Sequence, residues 1–139
     1  MLEVILFIMA ALSSWNIDYY PGSLDSADVA VTHYENKTVI DINKSLVPAQ
    51  ISCTGSMQPL IGCGNKVYLK ELAADDEVNI GDIIAYRNGD EYIMHQVVDE
   101  NTGEGCYYLK GFNNVFMDQE CIDRDDMEFR VAVILPTGE

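Results

Sequence analysis

Short runs of apolar and β-branched residues, separated by turn residues, recur along most of the chain. They predict seven strands: Val29–Tyr34, Thr38–Ile42, Lys66–Leu69, Asp82–Arg87, Tyr92–Val98, Cys106–Lys110 and Phe129–Leu135. The clearest hairpin turn is Arg87-Asn88-Gly89-Asp90-Glu91, because Asn-Gly readily adopts the positive φ angles of a tight turn. The only helix candidates are the N-terminal apolar run and one turn after Gly55. Without long helical periodicity, the pattern favours a mostly β fold.

The N-terminal segment allows several interpretations. Val4 to Leu12 is an unbroken run of nine apolar residues, whereas crossing a bilayer takes roughly 20. The run has the length of a signal-peptide core, but Glu3 stands where a positive charge is expected. A signal peptide, the remnant of a longer anchor and a first core element all remain open. We divide the chain into this segment (1–15), a connector with early strands (16–46) and a main β domain (47–139).

Charge and cysteine content narrow the possible partners and compartment. The 139 residues include 23 acidic and 8 basic side chains, a net charge of −15. Such a surface repels phosphate backbones, so we expect no nucleic-acid partner. Without a C-x-x-C motif, and with two histidines, a metal site has little support. The four cysteines are either buried thiols or two local disulfides, each framing a suspected functional segment: Cys53, Cys63, Cys106 and Cys121. Together with sequons at Asn36 and Asn43, they favour an oxidising, extracytoplasmic setting.

The stretch CTGSMQP, residues 53–59, raises the question of whether Ser56 is a nucleophile. A serine hydroxyl needs a base to take its proton, and the chain has two histidines. His33 lies in an early alternating strand and is interpreted as structural. His95 lies in a later strand, on the face shared by Ile93 and Val97. Asp118 follows the turn after Gly111 and would orient the His95 ring if that turn lies beside the strand. Otherwise Asp118 is an ordinary turn residue.

Four segments, in this order, resemble the boxes of type I signal peptidases. TGSMQP (54–59) is similar to the family's S-G-S-M-x-P box, and GDIIAY (81–86) to its G-D-I-V-x-[FY] strand. MHQVV (94–98) resembles the H-R-V strand of the archaeal and endoplasmic-reticulum branch, which uses histidine as the base. KGFNN (110–114) resembles that branch's K-G-D-N-N, and Asp118 falls at its last acidic position. The resemblance covers roughly residues 47–135.

The resemblance implies a signal-peptidase-like β fold, shared with self-cleaving repressors, and a serine endopeptidase that removes signal peptides from secretory preproteins. Ser56 would attack and carry the acyl group, His95 would act as general base and Asp118 would support His95. Thr54 would donate to the oxyanion together with the Ser56 backbone N–H. The substrate-binding assignment also includes Gly55, for close backbone approach, and Met57, which more simply shapes the box. No metal or organic cofactor is needed, and the expected location is extracytoplasmic, at a membrane surface.

Several positions depart from the family pattern. Phe112 replaces the aspartate of K-G-D-N-N, so one carboxylate of the site is missing. Gln96 replaces the arginine after the histidine, and Asn65 replaces an aspartate that follows the serine box. These changes spare the nucleophile and base. Phe112 favours one alternative, a module that kept the fold for binding or as a subunit and lost activity. A repressor-like self-cleaving protein is a weaker alternative, because those use lysine as the base and carry a DNA-binding domain.

Overall fold

A computed structural model describes residues 28–135 as a mostly β protein with antiparallel pairing throughout. The nine strands are β1 (Val29–His33), β2 (Thr38–Ile42), β3 (Val47–Gln50), β4 (Lys66–Glu71), β5 (Ile83–Asn88), β6 (Glu91–Asn101), β7 (Cys106–Lys110), β8 (Ile122–Asp123) and β9 (Met127–Leu135). One 3₁₀ turn, Arg124–Asp126, precedes β9. The N-terminal segment 1–15 and residues 16–27 of the connector lie outside the described residues. The prediction of a mostly β fold with little helix is confirmed.

All seven predicted strands are present, and two further strands were not predicted. β3 contains Pro48, which lacks an N–H donor and weakens a strand signal. It lies at one edge of the sheet, where proline is tolerated. β8 has only two residues and pairs with the start of β7. The turn after Gly55 forms a single i to i+4 hydrogen bond, from Ile61 N–H to the Met57 carbonyl, and no helix.

β1 and β2 form a two-stranded hairpin, and the other strands form a seven-stranded sheet in the order β3-β4-β9-β5-β6-β7-β8. A salt bridge of 3.2 Å between Asp28 and Lys70 links the start of the hairpin to β4. β5 and β6 form the predicted hairpin, in which Asn88 pairs with Glu91. The two turn residues are therefore Gly89 and Asp90, and Gly89 supplies the left-handed φ of +63°.

Two hydrophobic clusters cover the large sheet. Successive strand residues point to opposite faces, so Ile83 and Ile84 belong to different clusters. The first cluster contains Val78, Ile84, Tyr86, Val97, Leu109, Ile122 and Met127. The second contains Met57, Ile61, Val67, Leu69 and Ile83. Met57 and Ile61 thus anchor the segment that carries Ser56 in the core.

The β5 strand is also fixed by a buried charge at its start. The Asp82 carboxylate accepts the Asn79 backbone N–H at 2.9 Å and lies 3.1 Å from the Arg130 guanidinium on β9. Buried charges are retained when they are paired and hydrogen-bonded in this way. Asp82 therefore has a structural task, anchoring the strand that lies between β6 and β9.

Candidate active site

Ser56 lies in the loop between β3 and β4, and three features shape that loop. Gly55 has a φ of +79°, a region that L side chains rarely adopt, so glycine is required there. Met57 is buried in the second hydrophobic cluster and pins the chain immediately after the serine. A disulfide between Cys53 and Cys63 closes the loop on itself. Ser56 stays partly exposed while its neighbour is anchored in the core.

His95 comes from the middle of β6, where the sheet changes its pairing. It lies opposite Ile84 of β5, so its side chain belongs to the face of the first cluster, as the alternation predicted. The pairing of β6 with β7 begins at Gln96, one residue after His95. His95 is 8 % exposed, a buried polar group that must have hydrogen-bond partners.

Asp118 lies on the long connection between β7 and β8, and two contacts fix this segment. The Asp118 backbone N–H donates to the Leu109 carbonyl at 2.7 Å, folding the segment back onto β7. The second disulfide, Cys106–Cys121, ties the end of the segment to the start of β7. Both local disulfides expected as one alternative from the sequence are present in the structure.

The three side chains form a continuous hydrogen-bonded chain. The His95 Nδ1 lies 2.7 Å from Asp118 Oδ2, and the His95 Nε2 lies 3.3 Å from Ser56 Oγ. An ionised carboxylate only accepts, so Nδ1 carries the proton in the neutral ring and Nε2 is the acceptor. The Ser56 hydroxyl therefore donates to Nε2, the arrangement from which a base removes its proton.

Tyr86 is a fourth member of this chain that the sequence did not single out. Its hydroxyl donates to Asp118 Oδ2 at 2.9 Å, the same oxygen that accepts from His95. Burial and the hydrogen bond to Asp118 raise the pKa of Tyr86 above its usual range, so the phenol stays protonated. The register of the β5–β6 hairpin indicates this neighbour. Ile84 pairs with His95, and Tyr86 lies two residues further along β5, so the side chains of Tyr86 and His95 share one face of the sheet.

Comparison with protein-family models, curated proteins and solved structures gives no match.

The turn at residues 111–114 packs directly against the serine loop. The Asn113 backbone N–H donates to the Ser56 carbonyl at 2.7 Å, and its side-chain amide donates to the Gly55 carbonyl at 3.2 Å. A Cβ on Gly111 would lie 2.9 Å from the Ser56 carbonyl oxygen and 2.5 Å from the Asn114 amide. The glycine of K-G-F-N-N is therefore needed for this close approach.

Thr54 and the substituted positions take distinct places around the site. The exposed Thr54 hydroxyl lies 3.5 Å from Ser56 Oγ, on the open side of the loop. Phe112 packs against the second cluster, and its backbone N–H donates to the Met57 sulfur at 3.4 Å. Gln96 is buried and donates to the Gly81 carbonyl at 3.2 Å. Phe112 and Gln96 thus fill structural positions, and Met57 supports the loop from beneath.

The remaining candidates lie outside the hydrogen-bonded chain. His33 is exposed on β1 and its Nδ1 is 3.0 Å from the Thr38 hydroxyl, in keeping with its structural interpretation. Within residues 28–135, no group of three His, Cys, Asp or Glu side chains is placed to hold a metal ion. In the same part of the chain, no helix is long and apolar enough to cross a membrane.

Proposed function

We propose that this protein is a serine endopeptidase that works like the histidine-using branch of the type I signal peptidases. The observation that carries the proposal is the arrangement of Ser56, His95 and Asp118, at 3.3 Å and 2.7 Å, drawn from three separate parts of the chain. Isolated strand histidines are usually structural. A histidine that links a partly exposed serine to a carboxylate is the arrangement of a nucleophile with its base and orienter.

The reaction follows from the positions of the hydrogen bonds. Ser56 Oγ attacks the carbonyl carbon of the scissile peptide while its proton passes to His95 Nε2. Asp118 stabilises the resulting imidazolium and holds Nδ1 as the donor. When the tetrahedral intermediate collapses, the C–N bond breaks and His95 gives its proton to the leaving amine. Water then attacks the Ser56 ester, with His95 again taking the proton, and the free serine is restored.

The oxyanion of the tetrahedral intermediate needs hydrogen-bond donors close to Ser56 Oγ. The Thr54 hydroxyl, 3.5 Å from the nucleophile, is the side-chain donor that we assign to it. The Ser56 backbone N–H is the second donor, as the resemblance implies. Removing one such donor costs about 10²–10³ in turnover in a well-studied protease.

The substrate class and location rest on the resemblance and on the surface. The proposed substrates are secretory preproteins with small residues at the first and third positions before the cut. Two disulfides fit an oxidising compartment. An exposed apolar segment, Val115 to Met117, lies directly before Asp118, with Val115 and Phe116 over 80 % exposed. An exposed apolar edge next to Asp118 suits a site that works at the outer membrane face.

The deciding experiment measures cleavage by the full chain of a synthetic peptide with an A-x-A site, with products identified by mass spectrometry. Ser56→Ala and His95→Ala should each lower turnover strongly, by up to about 10⁶-fold as in a well-studied serine protease. His33→Ala is the matched control, since it removes the other histidine from an exposed strand. An acyl adduct on Ser56 in acid-quenched samples would locate the nucleophile. Equal cleavage by the wild type and both site variants would refute the proposal.

The second candidate is a binding or subunit module that has lost activity, and Phe112 favours it. Its side chain packs on the second cluster where the resembled family carries a carboxylate. This candidate predicts that the same peptide binds, with an affinity that Ser56→Ala leaves unchanged, while no product forms with the wild type. The peptide assay thus separates the two candidates.

A further inference from the structure

Two donors meet on one oxygen of Asp118. His95 Nδ1 and the Tyr86 hydroxyl lie 2.7 Å and 2.9 Å from Oδ2, and both side chains are largely buried. The carboxylate of an aspartate can rotate about the χ2 bond unless hydrogen bonds hold it. Two donors from neighbouring strands, β5 and β6, restrict that freedom and direct the same oxygen toward His95.

The position of Tyr86 makes this contact rigid. Its ring is 3 % exposed and belongs to the first hydrophobic cluster with Ile84, Val97 and Leu109. Asp118 is held to the same region by its own N–H bond to the Leu109 carbonyl. The phenol and the Asp118 backbone are therefore anchored independently, and the hydroxyl reaches the carboxylate from the packed core.

We infer that Tyr86 is a positioning residue: its hydroxyl holds the Asp118 carboxylate in the orientation that sets the His95 ring for Ser56. The inference rests on the proposed function for its effect on catalysis, but its effect on the His95 ring can be measured without any activity.

The phenol stays protonated and therefore keeps its bond to Asp118. Burial and the hydrogen bond to Asp118 raise the pKa of Tyr86, and Glu120 adds a further negative charge. Without the phenol, Oδ2 loses one of its two donors, and the carboxylate can turn away from the His95 ring. The bond between His95 Nδ1 and Asp118 should then weaken.

The test compares Tyr86→Phe with Tyr92→Phe in the full chain. Tyr92 is the matched control because its hydroxyl also donates to a carboxylate, that of Glu128, but on an exposed surface. For Tyr86→Phe we expect kcat to fall roughly 10- to 100-fold with KM unchanged, as for a lost bond to a charged group. Tyr92→Phe should match the wild type in both kcat and KM.

A second measurement separates this inference from the proposed function. In proton NMR, the His95 Nδ1 proton reports the bond to Asp118. Its signal should shift or broaden in Tyr86→Phe but not in Tyr92→Phe. An inactive wild type would refute the peptidase proposal alone, and a changed Nδ1 signal would still support the positioning role. An unchanged Nδ1 signal in Tyr86→Phe would overturn the role of Tyr86. 3-Fluorotyrosine at position 86 keeps the hydroxyl, so it should give the wild-type kcat and the wild-type His95 Nδ1 signal. This variant keeps the role of the hydroxyl testable if Tyr86→Phe folds poorly.

Discussion

At the scale of single residues, the proposed mechanism separates side chains that would touch the reacting atoms from those that hold them. The Ser56 Oγ lies 3.3 Å from His95 Nε2 and 3.5 Å from the Thr54 hydroxyl. Met57 and Phe112 lie beneath, on the second cluster. Substitutions of the first group should therefore change turnover, whereas substitutions of the second should first change the stability of the loop.

Thr54 provides a sharp test at this scale. Thr54→Val keeps the shape of the side chain but removes the hydroxyl that we assign to the oxyanion. We expect kcat for the A-x-A peptide to fall about 10²–10³-fold with little change in KM, because the bond forms in the transition state. Thr54→Ser retains a hydroxyl and should keep most of the activity. If the valine variant turns over like the wild type, the oxyanion assignment of Thr54 is wrong.

At the scale of elements, the sequence predicted the strands better than the connections. The seven predicted strands have regular alternation or β-branched runs, and the β5–β6 hairpin follows from Gly89. β3 was missed because Pro48 interrupts the pattern. The pairing of Cys53 with Cys63 was available from the sequence as one alternative, since both residues frame the serine loop.

The roles of connecting segments depend on contacts between residues that are far apart in the sequence, and no local sequence pattern predicts such contacts. The predicted place of Asp118 beside the His95 strand required the 111–121 segment to fold back onto Leu109, which the structure shows as a backbone bond of 2.7 Å. The contact of Tyr86 with Asp118 depends on that same folding-back. The hairpin register indicates that Tyr86 and His95 share a face of the sheet. It does not indicate that both side chains bond to Asp118.

Each disulfide closes a segment that carries one member of the hydrogen-bonded chain. Cys53 and Cys63 are 10 residues apart and enclose Ser56, and Cys106 and Cys121 are 15 apart and enclose Asp118. Loops of this size gain about 3 kcal/mol from cross-linking in the chain-entropy model. The disulfides therefore stabilise the segments around Ser56 and Asp118, two residues that lie outside the strands.

Removing the first disulfide should loosen the serine loop. For the double variant Cys53→Ser/Cys63→Ser we expect a lower Tm and a lower kcat at temperatures well below the unfolding transition, because Ser56 no longer has a single orientation toward His95. Thermal unfolding under non-reducing conditions and the peptide assay give the two values. A lower Tm with full activity in the folded range would mean that the bridge stabilises the fold without orienting Ser56.

At the scale of the whole molecule, an acidic surface and an apolar edge coexist. The net charge of −15 opposes binding to anionic lipids, and the exposed segment Val115 to Met117 offers the apolar contact. This edge directly precedes Asp118, so docking through it would bring the segment that carries Asp118 to the membrane surface. The proposed location therefore predicts binding to neutral membranes that depends on apolar contact more than on charge.

Flotation of the full chain with zwitterionic phosphatidylcholine vesicles tests this location. The triple variant Val115→Ser/Phe116→Ser/Met117→Ser should reduce the bound fraction at least about tenfold, since burying each apolar side chain contributes roughly 1.5–3 kcal/mol. Tyr34→Ser/Ile40→Ser removes exposed apolar side chains from the β1–β2 hairpin and is the matched control. Adding anionic lipid should weaken binding, and raising the salt concentration should relieve that effect. Binding that persists in the triple variant, or that needs anionic lipid, would place membrane contact elsewhere on the chain and remove this support for work at the outer membrane face.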